Sequence, residues 1–318
     1  PTVTSNIAWA NDNRTLFYVK QDPKTLRPNC VYRHSLGTDV SEDELVYEET
    51  DETFTVSVFK TKSKKYMMVI SAQTVSTEYQ FLDLEADGST GSFTLFLSRS
   101  REHEYHVDHK GDKFYVRTNL NAKNFRLIET SIKHTGLSHW HEIVSHRPAV
   151  LLAGIEIFKD HLVLHEREAG LTRICVQEWS GQREHYLNFR EPTYSTYIGD
   201  NPEQNTHVLR YGYTSMTTPN SIYDYDMISR TNVLLKRDEI LGRFNTTDYV
   251  TDRVYATAAD GTKIPISLVY RKEFMGDGGR PLLLYGYGSY GLSLDSTFSS
   301  PRLSLIDRGF TYAIAHVR

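Results

Sequence analysis

A repeat of strand-like segments constrains this chain more than any other feature of its sequence. The most apolar run of each repeat lies at residues 16–19, 66–70, 113–116, 161–164 and 207–211. The spacing of these runs is roughly 46 to 50 residues, and self-similarity at such a period indicates a repeat architecture. A turn rich in Asn, Asp, Lys or Gly precedes most of the runs, and a further strand with a Tyr or Cys follows most of them. Each repeat therefore predicts about four short antiparallel strands joined by tight turns.

The period is typical of the blades of a β-propeller. A single four-stranded sheet cannot bury both of its faces, whereas blades stacked around an axis bury them against one another. Residues 5–240 hold about five such blades on this interpretation. Because closed propellers usually have more, we expect further strands before Pro1. A β-sandwich of unrelated strands is the alternative that the pattern leaves open.

The strand pattern changes after residue 245. Residues 249–257 and 263–271 alternate in polarity and are separated by a short Asp-Gly turn, which indicates a hairpin. The continuous apolar run at residues 281–285 is typical of a strand that is buried on both faces of a parallel sheet. We therefore predict that a propeller fragment ends at residue 244.

A short helix and a second strand are predicted to follow. Ser300 is a good N-cap with Pro301 at the first helical position, and Gly309 is placed to end the helix. Residues 310–317 then indicate another buried strand. Residues 245–318 are thus predicted to begin an α/β domain with a strand–helix–strand unit, and the whole chain is predicted to be mostly β.

Composition excludes several classes of function. The formal net charge of −4 argues against a nucleic-acid partner, which would need a basic face. No apolar run approaches the roughly 18 residues of a membrane helix, and no leader opens the sequence. Cys30 and Cys175 lie too far apart in sequence to suggest a disulfide framework, so we expect a cytoplasmic protein.

Metal and cofactor sites are not expected either. His103, His106 and His109 are spaced by three, but a strand-and-turn pattern does not gather them. His161 and His165 could share a strand face, yet zinc needs three or four converging ligands. We interpret these histidines as core or surface residues.

The glycine-rich loop at residues 286–291 allows three interpretations. Its G-x-G-x-x-G spacing matches a dinucleotide fingerprint, but no helix opens at the third glycine and no acidic residue ends the next strand. Ser289 could be a nucleophile, but the elbow requires G-x-S-x-G, which occurs nowhere in the chain. The third interpretation is a loop that stabilises an oxyanion, with the Tyr287 hydroxyl as donor. The residues alone leave a packed loop aromatic as the alternative for Tyr287.

Three stretches carry a resemblance to a known family. They read PLLLYGYGSYG at residues 281–291, RLSLIDRGF at 302–310 and AIAHVR at 313–318. Together they resemble the serine peptidases of the prolyl oligopeptidase family, and within it the oligopeptidase B group. The match is long and specific over residues 281–318, whereas over the repeats it rests on period and strand texture.

The resemblance implies a fold and an activity for the intact protein. The fold is a seven-bladed propeller joined to an α/β-hydrolase domain, of which this chain would be an internal fragment with about five blades. The activity is serine-type hydrolysis of short peptides after Arg or Lys. The catalytic Ser, Asp and His are expected beyond Arg318, so the fragment alone is expected to be inactive. A non-catalytic propeller that binds partners and a post-proline-cleaving peptidase are the alternatives.

The resemblance also implies roles for two residues of the glycine-rich loop and for one residue shortly after it. Tyr287 matches the second Tyr of the family's Y-G-Y-G motif and would donate to the oxyanion. Tyr290 would line the site near the reacting carbonyl. Asp295 is similar to an acid that contacts a basic substrate side chain next to the scissile bond. The family often has a second acid two residues on, where this chain has Thr297. A loop-capping Asx turn is the alternative for Asp295.

Residues 39–52 form an acid-rich run with eight Asp or Glu side chains. Such a run is usually a solvated loop. The functional alternative is that it steers cationic peptides toward the active site.

Overall fold

The computed structural model describes residues 2–181, 183–276 and 279–317, and the remaining five residues of the sequence lie outside the description. Arg318, the last residue of the AIAHVR stretch, is among those five. The chain divides into two compact units, residues 1–148 and 149–318.

The first unit contains three four-stranded antiparallel sheets, each made of strands that are consecutive in the chain. The first sheet has β1 (Val3–Trp9), β2 (Thr15–Gln21), β3 (Pro28–Ser35) and β4 (Glu44–Glu48). The second has β5 (Thr55–Lys60), β6 (Tyr66–Gln73), β7 (Ser76–Asp83) and β8 (Thr94–Leu97). The third has β9 (Tyr105–Lys110), β10 (Lys113–Thr118), β11 (Arg126–Ser131) and β12 (His141–Val144). Short 3-10 helices occur at Val40–Glu42 and Leu137–His139.

Strand alternation explains why the run at residues 66–70 is continuously apolar. Successive side chains of a strand point to opposite faces of its sheet. In β6, Met67 packs with Phe17 of the first sheet, whereas the next residue, Met68, packs with Phe114 of the third sheet. The second sheet is therefore buried on both faces. Burying a side chain of this size stabilises the fold by about 2 kcal/mol.

The second unit begins with two more sheets of the same antiparallel topology. The fourth sheet has β13 (Val150–Ile157), β14 (His161–Glu168), β15 (Leu171–Glu178) and β16 (Glu184–Tyr186). The fifth has β17 (Ser195–Ile198), β18 (Val208–Thr214), β19 (Ser221–Asp226) and β20 (Thr231–Arg237). Val163 and Val176 of the fourth sheet share a core with Leu209 and Tyr211 of the fifth.

The sixth sheet has a mixed topology, in the order β21-β22-β24-β23. Its strands are β21 (Tyr249–Thr257), β22 (Lys263–Arg271), β23 (Leu282–Gly286) and β24 (Thr311–Ala315), and helix α1 (Ser300–Ile306) connects the last two. Strands β23 and β24 are parallel, whereas β21 and β22 form an antiparallel hairpin. Short 3-10 helices occur at Thr246–Asp248, Lys272–Phe274 and Ser289–Gly291.

The structure confirms the mostly β prediction. The five predicted apolar runs fall in β2, β6, β10, β14 and β18, the second strand of each of the first five sheets, except that residue 207 directly precedes β18. Six four-stranded sheets in the described residues, with cores shared between neighbouring sheets inside each unit, are consistent with a propeller-like fold.

Two local predictions were wrong. The N-cap of α1 is Ser299, not Ser300, because Ser299 keeps an extended backbone while Ser300 is already helical. Strand β23 is not buried on both faces. It is the edge strand of its sheet, and Leu282, Leu283 and Leu284 are 57%, 40% and 56% exposed in the described chain.

The acid-rich run is more ordered than a solvated loop. It contains a 3-10 helix and β4, and the side chains of Asp43 and Glu49 are buried. Asp43 accepts hydrogen bonds from the Tyr18 hydroxyl and the His34 ring. Glu49 is 4% exposed and lies beside Ser71 and Arg99. The run was misinterpreted because composition does not reveal which acids have partners in other strands.

Candidate functional site

The candidate site lies where the parallel strands of the sixth sheet end. Gly286 is paired with Ala315 at the carboxyl ends of β23 and β24. The chain leaves β23 through Tyr287 and leaves β24 through His316. Loops that follow the carboxyl ends of parallel strands meet at one edge of a sheet, which is where α/β folds place their ligands.

Tyr287 and Tyr290 are both accessible on the loop that follows β23. The side chain of Tyr287 is 41% exposed, and within the described chain no partner lies in hydrogen-bond reach of its hydroxyl. Tyr290 is 85% exposed and has a left-handed backbone (φ 58°, ψ 29°) inside the 3-10 helix. A left-handed backbone is uncommon for an aromatic residue and is often found at functional sites. The arrangement leaves the Tyr287 hydroxyl free to donate a hydrogen bond to a bound molecule.

Asp295, which lies later in the same loop, forms an ion pair with a residue of β14. Its Oδ1 lies 2.7 Å from Nη1 of Arg167 on β14. The side chains of Arg167 and Asp295 are 21% and 36% exposed. Of the three sequence-predicted site residues, Asp295 is thus the one with a charged partner, and its carboxylate is not the centre of an Asx turn.

A buried cluster of hydroxyls holds the loop next to Asp295. Ser296 donates to Ser267 of β22 at 3.0 Å, and Thr193 lies 2.7 Å from Ser296 and 2.5 Å from Ser267. Ser267 in turn shares a 2.7 Å hydrogen bond with His316 Nε2. These three hydroxyl residues are at most 1% exposed, so they fix the backbone position of residue 296.

His316 connects the sixth sheet to the turn between β14 and β15. Its ring packs so closely on Gly170 that a Cβ at that position would lie 2.7 Å from Cγ of the imidazole. Arg253 of β21 donates to the carbonyl of the adjacent Ala169. Burial, reinforced by Arg253, lowers the pKa of His316 below its ordinary value. A neutral imidazole at this position makes it a packing and hydrogen-bonding group.

Sequence reasoning missed Arg167 and the hydroxyl cluster. Arg167 and Asp295 lie more than a hundred positions apart in the sequence, and so do Thr193 and Ser296. Contacts between such distant positions leave no local pattern in a single sequence. Only the three-dimensional structure shows that β14, which carries Arg167, lies beside the loop that carries Asp295.

The histidines considered above bind separate partners. His103 is bonded to Thr118, His106 to Tyr79 and His109 to Ser63. Within residues 2–181, 183–276 and 279–317, no group of three His, Cys, Asp or Glu side chains is arranged to hold a metal ion. None of the helices in those same ranges has the length and apolarity needed to cross a membrane.

Comparisons with known proteins agree with this architecture. The chain is 41% identical over 322 aligned positions to dipeptidyl aminopeptidase BI of Pseudoxanthomonas mexicana, covering 100% of this chain and 44% of the relative. It is 29% identical to protease 2 of Moraxella lacunata, covering 99% of this chain and 45% of that protein. The chain therefore spans less than half the length of these curated relatives.

Solved structures of peptidases also match nearly the whole chain over less than half of their own length. Oligopeptidase B from Leishmania major superposes with a TM-score of 0.91 at 32% identity, covering 100% of this chain and 45% of that one. Oligopeptidase B from Trypanosoma brucei, with covalently bound antipain, gives a TM-score of 0.90 at 31% identity, covering 99% and 46%.

A family match covers most of the sequence. Residues 1–238 match the family described as the prolyl oligopeptidase N-terminal β-propeller domain. The matched segment ends one residue beyond β20, the last strand of the fifth sheet. On this match, and on the repeated sheets that it covers, the chain belongs to the prolyl oligopeptidase family of serine peptidases.

Proposed function

We propose that this chain is part of a serine endopeptidase of the oligopeptidase B type, which hydrolyses short peptides after Arg or Lys. Residues 1–244 would belong to its propeller, and residues 245–318 would begin its α/β-hydrolase domain. We place the intact enzyme in the cytoplasm, acting without a cofactor. The nucleophilic Ser and its Asp and His would come from sequence outside the 318 residues, which contain no G-x-S-x-G.

The observation that carries the proposal is the position of Tyr287. Its side chain is partly exposed at the carboxyl edge of two parallel strands, in a chain whose relatives are peptidases. Attack on a peptide carbonyl creates an oxyanion, and a preorganised O–H donor stabilises it more than it stabilises the substrate. Tyr287 supplies that donor in our proposal, and Tyr290, exposed three residues later, lines the site beside the reacting carbonyl.

Asp295 would contribute to recognition of basic peptides. A carboxylate on the loop after β23 can pair with the Arg or Lys side chain next to the scissile bond. The similarity to two oligopeptidase B structures at 31% and 32% identity supports this assignment. The residues that recognise the Arg or Lys after which the peptide is cleaved would lie outside this chain.

A second candidate activity follows from the 41% identical relative. That relative is named a dipeptidyl aminopeptidase, an enzyme that releases dipeptides from a free amino terminus. Both activities use the same acyl-transfer chemistry and differ in whether the substrate's free amino group is required. The two candidates are therefore distinguished by substrate preference.

A panel of fluorogenic peptides tests the proposal on the intact protein. The panel contains blocked peptides with Arg, Lys or Pro before the scissile bond, and dipeptide amides with a free amino group. We expect kcat/KM for blocked Arg and Lys peptides to exceed that for Pro peptides by about a hundredfold or more.

Each other outcome favours a different candidate. Cleavage confined to free dipeptide amides would support the dipeptidyl aminopeptidase, and a preference for Pro would support post-proline cleavage. No hydrolysis of any peptide by correctly folded intact protein would leave a non-catalytic propeller as the better account.

A further inference from the structure

The ion pair between Arg167 and Asp295 bears directly on substrate choice. The carboxylate that we assign to basic side chains already faces a guanidinium at 2.7 Å. A substrate cation that approaches Asp295 meets Arg167 as well. Either the two cations share the carboxylate, or the substrate displaces Arg167 from it.

The loop does not depend on Arg167 for its position. Ser296 is tied into the buried hydroxyl cluster with Thr193 and Ser267. The Thr297 amide donates to the carbonyl of Asp295 at 2.9 Å, and the Phe298 amide donates to the Thr214 hydroxyl at 3.1 Å. These bonds hold the backbone on the carboxyl side of Asp295, so loss of the Arg167 charge leaves that backbone in place.

Arg167 is also held independently of Asp295. It lies near the end of β14, where its backbone is paired with Leu151 of β13 and Thr172 of β15. Its guanidinium has a second acceptor in the carbonyl of Gly170, at 3.3 Å. The positive charge therefore remains beside the site when a ligand takes the carboxylate.

The charges around the Arg167–Asp295 pair favour competition between Arg167 and a substrate cation for the Asp295 carboxylate. The position two residues after Asp295, where a second acid would strengthen cation binding, is Thr297. Glu168, close to Arg167 in sequence, is paired with Arg173, and Glu166 is fully buried with its carboxylate accepting from Tyr186. Arg253 adds a further positive charge at the neighbouring turn. Asp295 is thus already paired with a cation before any substrate arrives.

We propose that Arg167 is a specificity-determining residue that competes with the substrate's basic side chain for Asp295. The inference rests on the proposed peptidase function and deepens it. In the wild-type enzyme the competition weakens the preference for a second basic residue next to the scissile bond. Short peptides with a neutral residue at that position are therefore cleaved almost as well as dibasic ones.

The test compares two blocked fluorogenic substrates that end in Arg-Arg or Ala-Arg, using the intact protein. In Arg167→Met, we expect the ratio of kcat/KM for Arg-Arg over Ala-Arg to rise about fivefold, through KM with kcat unchanged. In Asp295→Asn, the ratio should fall below that of the wild type, because the carboxylate is lost. Arg167→Gln, which keeps hydrogen-bonding capacity, should reproduce the rise if the methionine variant is poorly folded.

Arg173→Met is the matched control. Arg173 lies on the adjacent strand and is paired with Glu168, so its replacement removes one positive charge from the same sheet without touching Asp295. Its substrate ratio should equal that of the wild type. An unchanged ratio in both Arg167 variants would overturn the inference, and a lowered ratio would make Arg167 a positioning residue for Asp295. Failure of the wild type to cleave after Arg would instead contradict the proposed function itself.

Discussion

Glu49 illustrates at the residue scale how a buried charge is stabilised. Its carboxylate accepts hydrogen bonds from Ser71 and Arg99, both at 2.5 Å, and from the amide of Asp51 at 2.8 Å. Burial alone would raise the pKa of Glu49, but the bonds from Ser71 and Arg99 outweigh it and hold the pKa below the ordinary 4.5. The charged form of Glu49 therefore stabilises the first unit.

Replacing Glu49 by Gln should make that contribution measurable. We expect the opening free energy of strand Tyr66–Gln73 to fall by about 2 kcal/mol at neutral pH, because hydrogen bonds to a charged acceptor are lost. A depressed pKa in the folded state gives stability that is present above pH 4.5 and is lost as the pH falls below that value. The difference between wild type and variant should therefore shrink in acid.

Hydrogen exchange of the intact protein at several pH values provides this measurement. Glu52→Gln is the control, since Glu52 lies in the same acidic run but is exposed. A difference between wild type and Glu49→Gln that stays constant from neutral pH to about pH 3.5 would contradict the role assigned to the charge.

The acidic run also shows where prediction from sequence stops. The density of acids at residues 39–52 is visible in the sequence, and the exposed members fit a solvated surface. The burial of Glu49 depends on Ser71 and Arg99, which belong to later strands and loops. A pattern confined to fourteen positions cannot contain those partners.

At the scale of elements, the hairpin between β14 and β15 is a junction inside the second unit. Its turn residue Gly170 has φ of +81° and leaves no room for a Cβ beside the ring of His316. The neighbouring Ala169 carbonyl accepts from Arg253. The turn thus packs a strand pair of the fourth sheet against the end of β24 in the sixth sheet.

Gly170→Ala should weaken this junction. The added methyl group meets both an unfavourable left-handed backbone and the buried imidazole, so we expect a loss of about 3 kcal/mol in the opening free energy of the hairpin. Hydrogen exchange of Leu171–Glu178 in the intact protein reports the change.

Gly111→Ala is the matched control for backbone strain. Gly111 also has positive φ, +65°, but has nothing within 4 Å of the added Cβ. Its replacement should cost only about 1 kcal/mol, measured on Lys113–Thr118. Equal losses for the two variants would show that the imidazole contact contributes nothing.

The second strand of the second sheet could be predicted because that sheet is buried on both faces. Alternate residues of β6 enter different cores, which makes the sequence of residues 66–70 continuously apolar. The same reasoning failed for β23, whose leucines resemble those of a buried strand but are exposed in the described chain. An apolar run indicates that a strand can pack against apolar residues. It does not indicate whether the described residues cover that strand.

At the scale of the whole molecule, the repeated sheets could be predicted from the sequence, whereas contacts between distant elements could not. Period and strand texture predicted the repeated sheets, and the motif around Tyr287 indicated the loop that carries the candidate site. The ion pair of Asp295 with Arg167 and the hydroxyl cluster beneath Ser296 required coordinates, because each joins elements far apart in the chain. These contacts show which candidate residues have partners: Asp295 is paired with Arg167, and Ser296 is bonded to Ser267 and Thr193.

The central claim is that Tyr287 stabilises the oxyanion, and Tyr287→Phe in the intact protein tests it most directly. Steady-state kinetics on a blocked Arg peptide should show kcat reduced about a hundredfold with KM little changed, because the lost hydrogen bond forms in the transition state. Tyr255→Phe, which removes the hydroxyl of another exposed tyrosine, should leave kcat unchanged. A Tyr287→Phe enzyme with the kcat of the wild type would contradict the account.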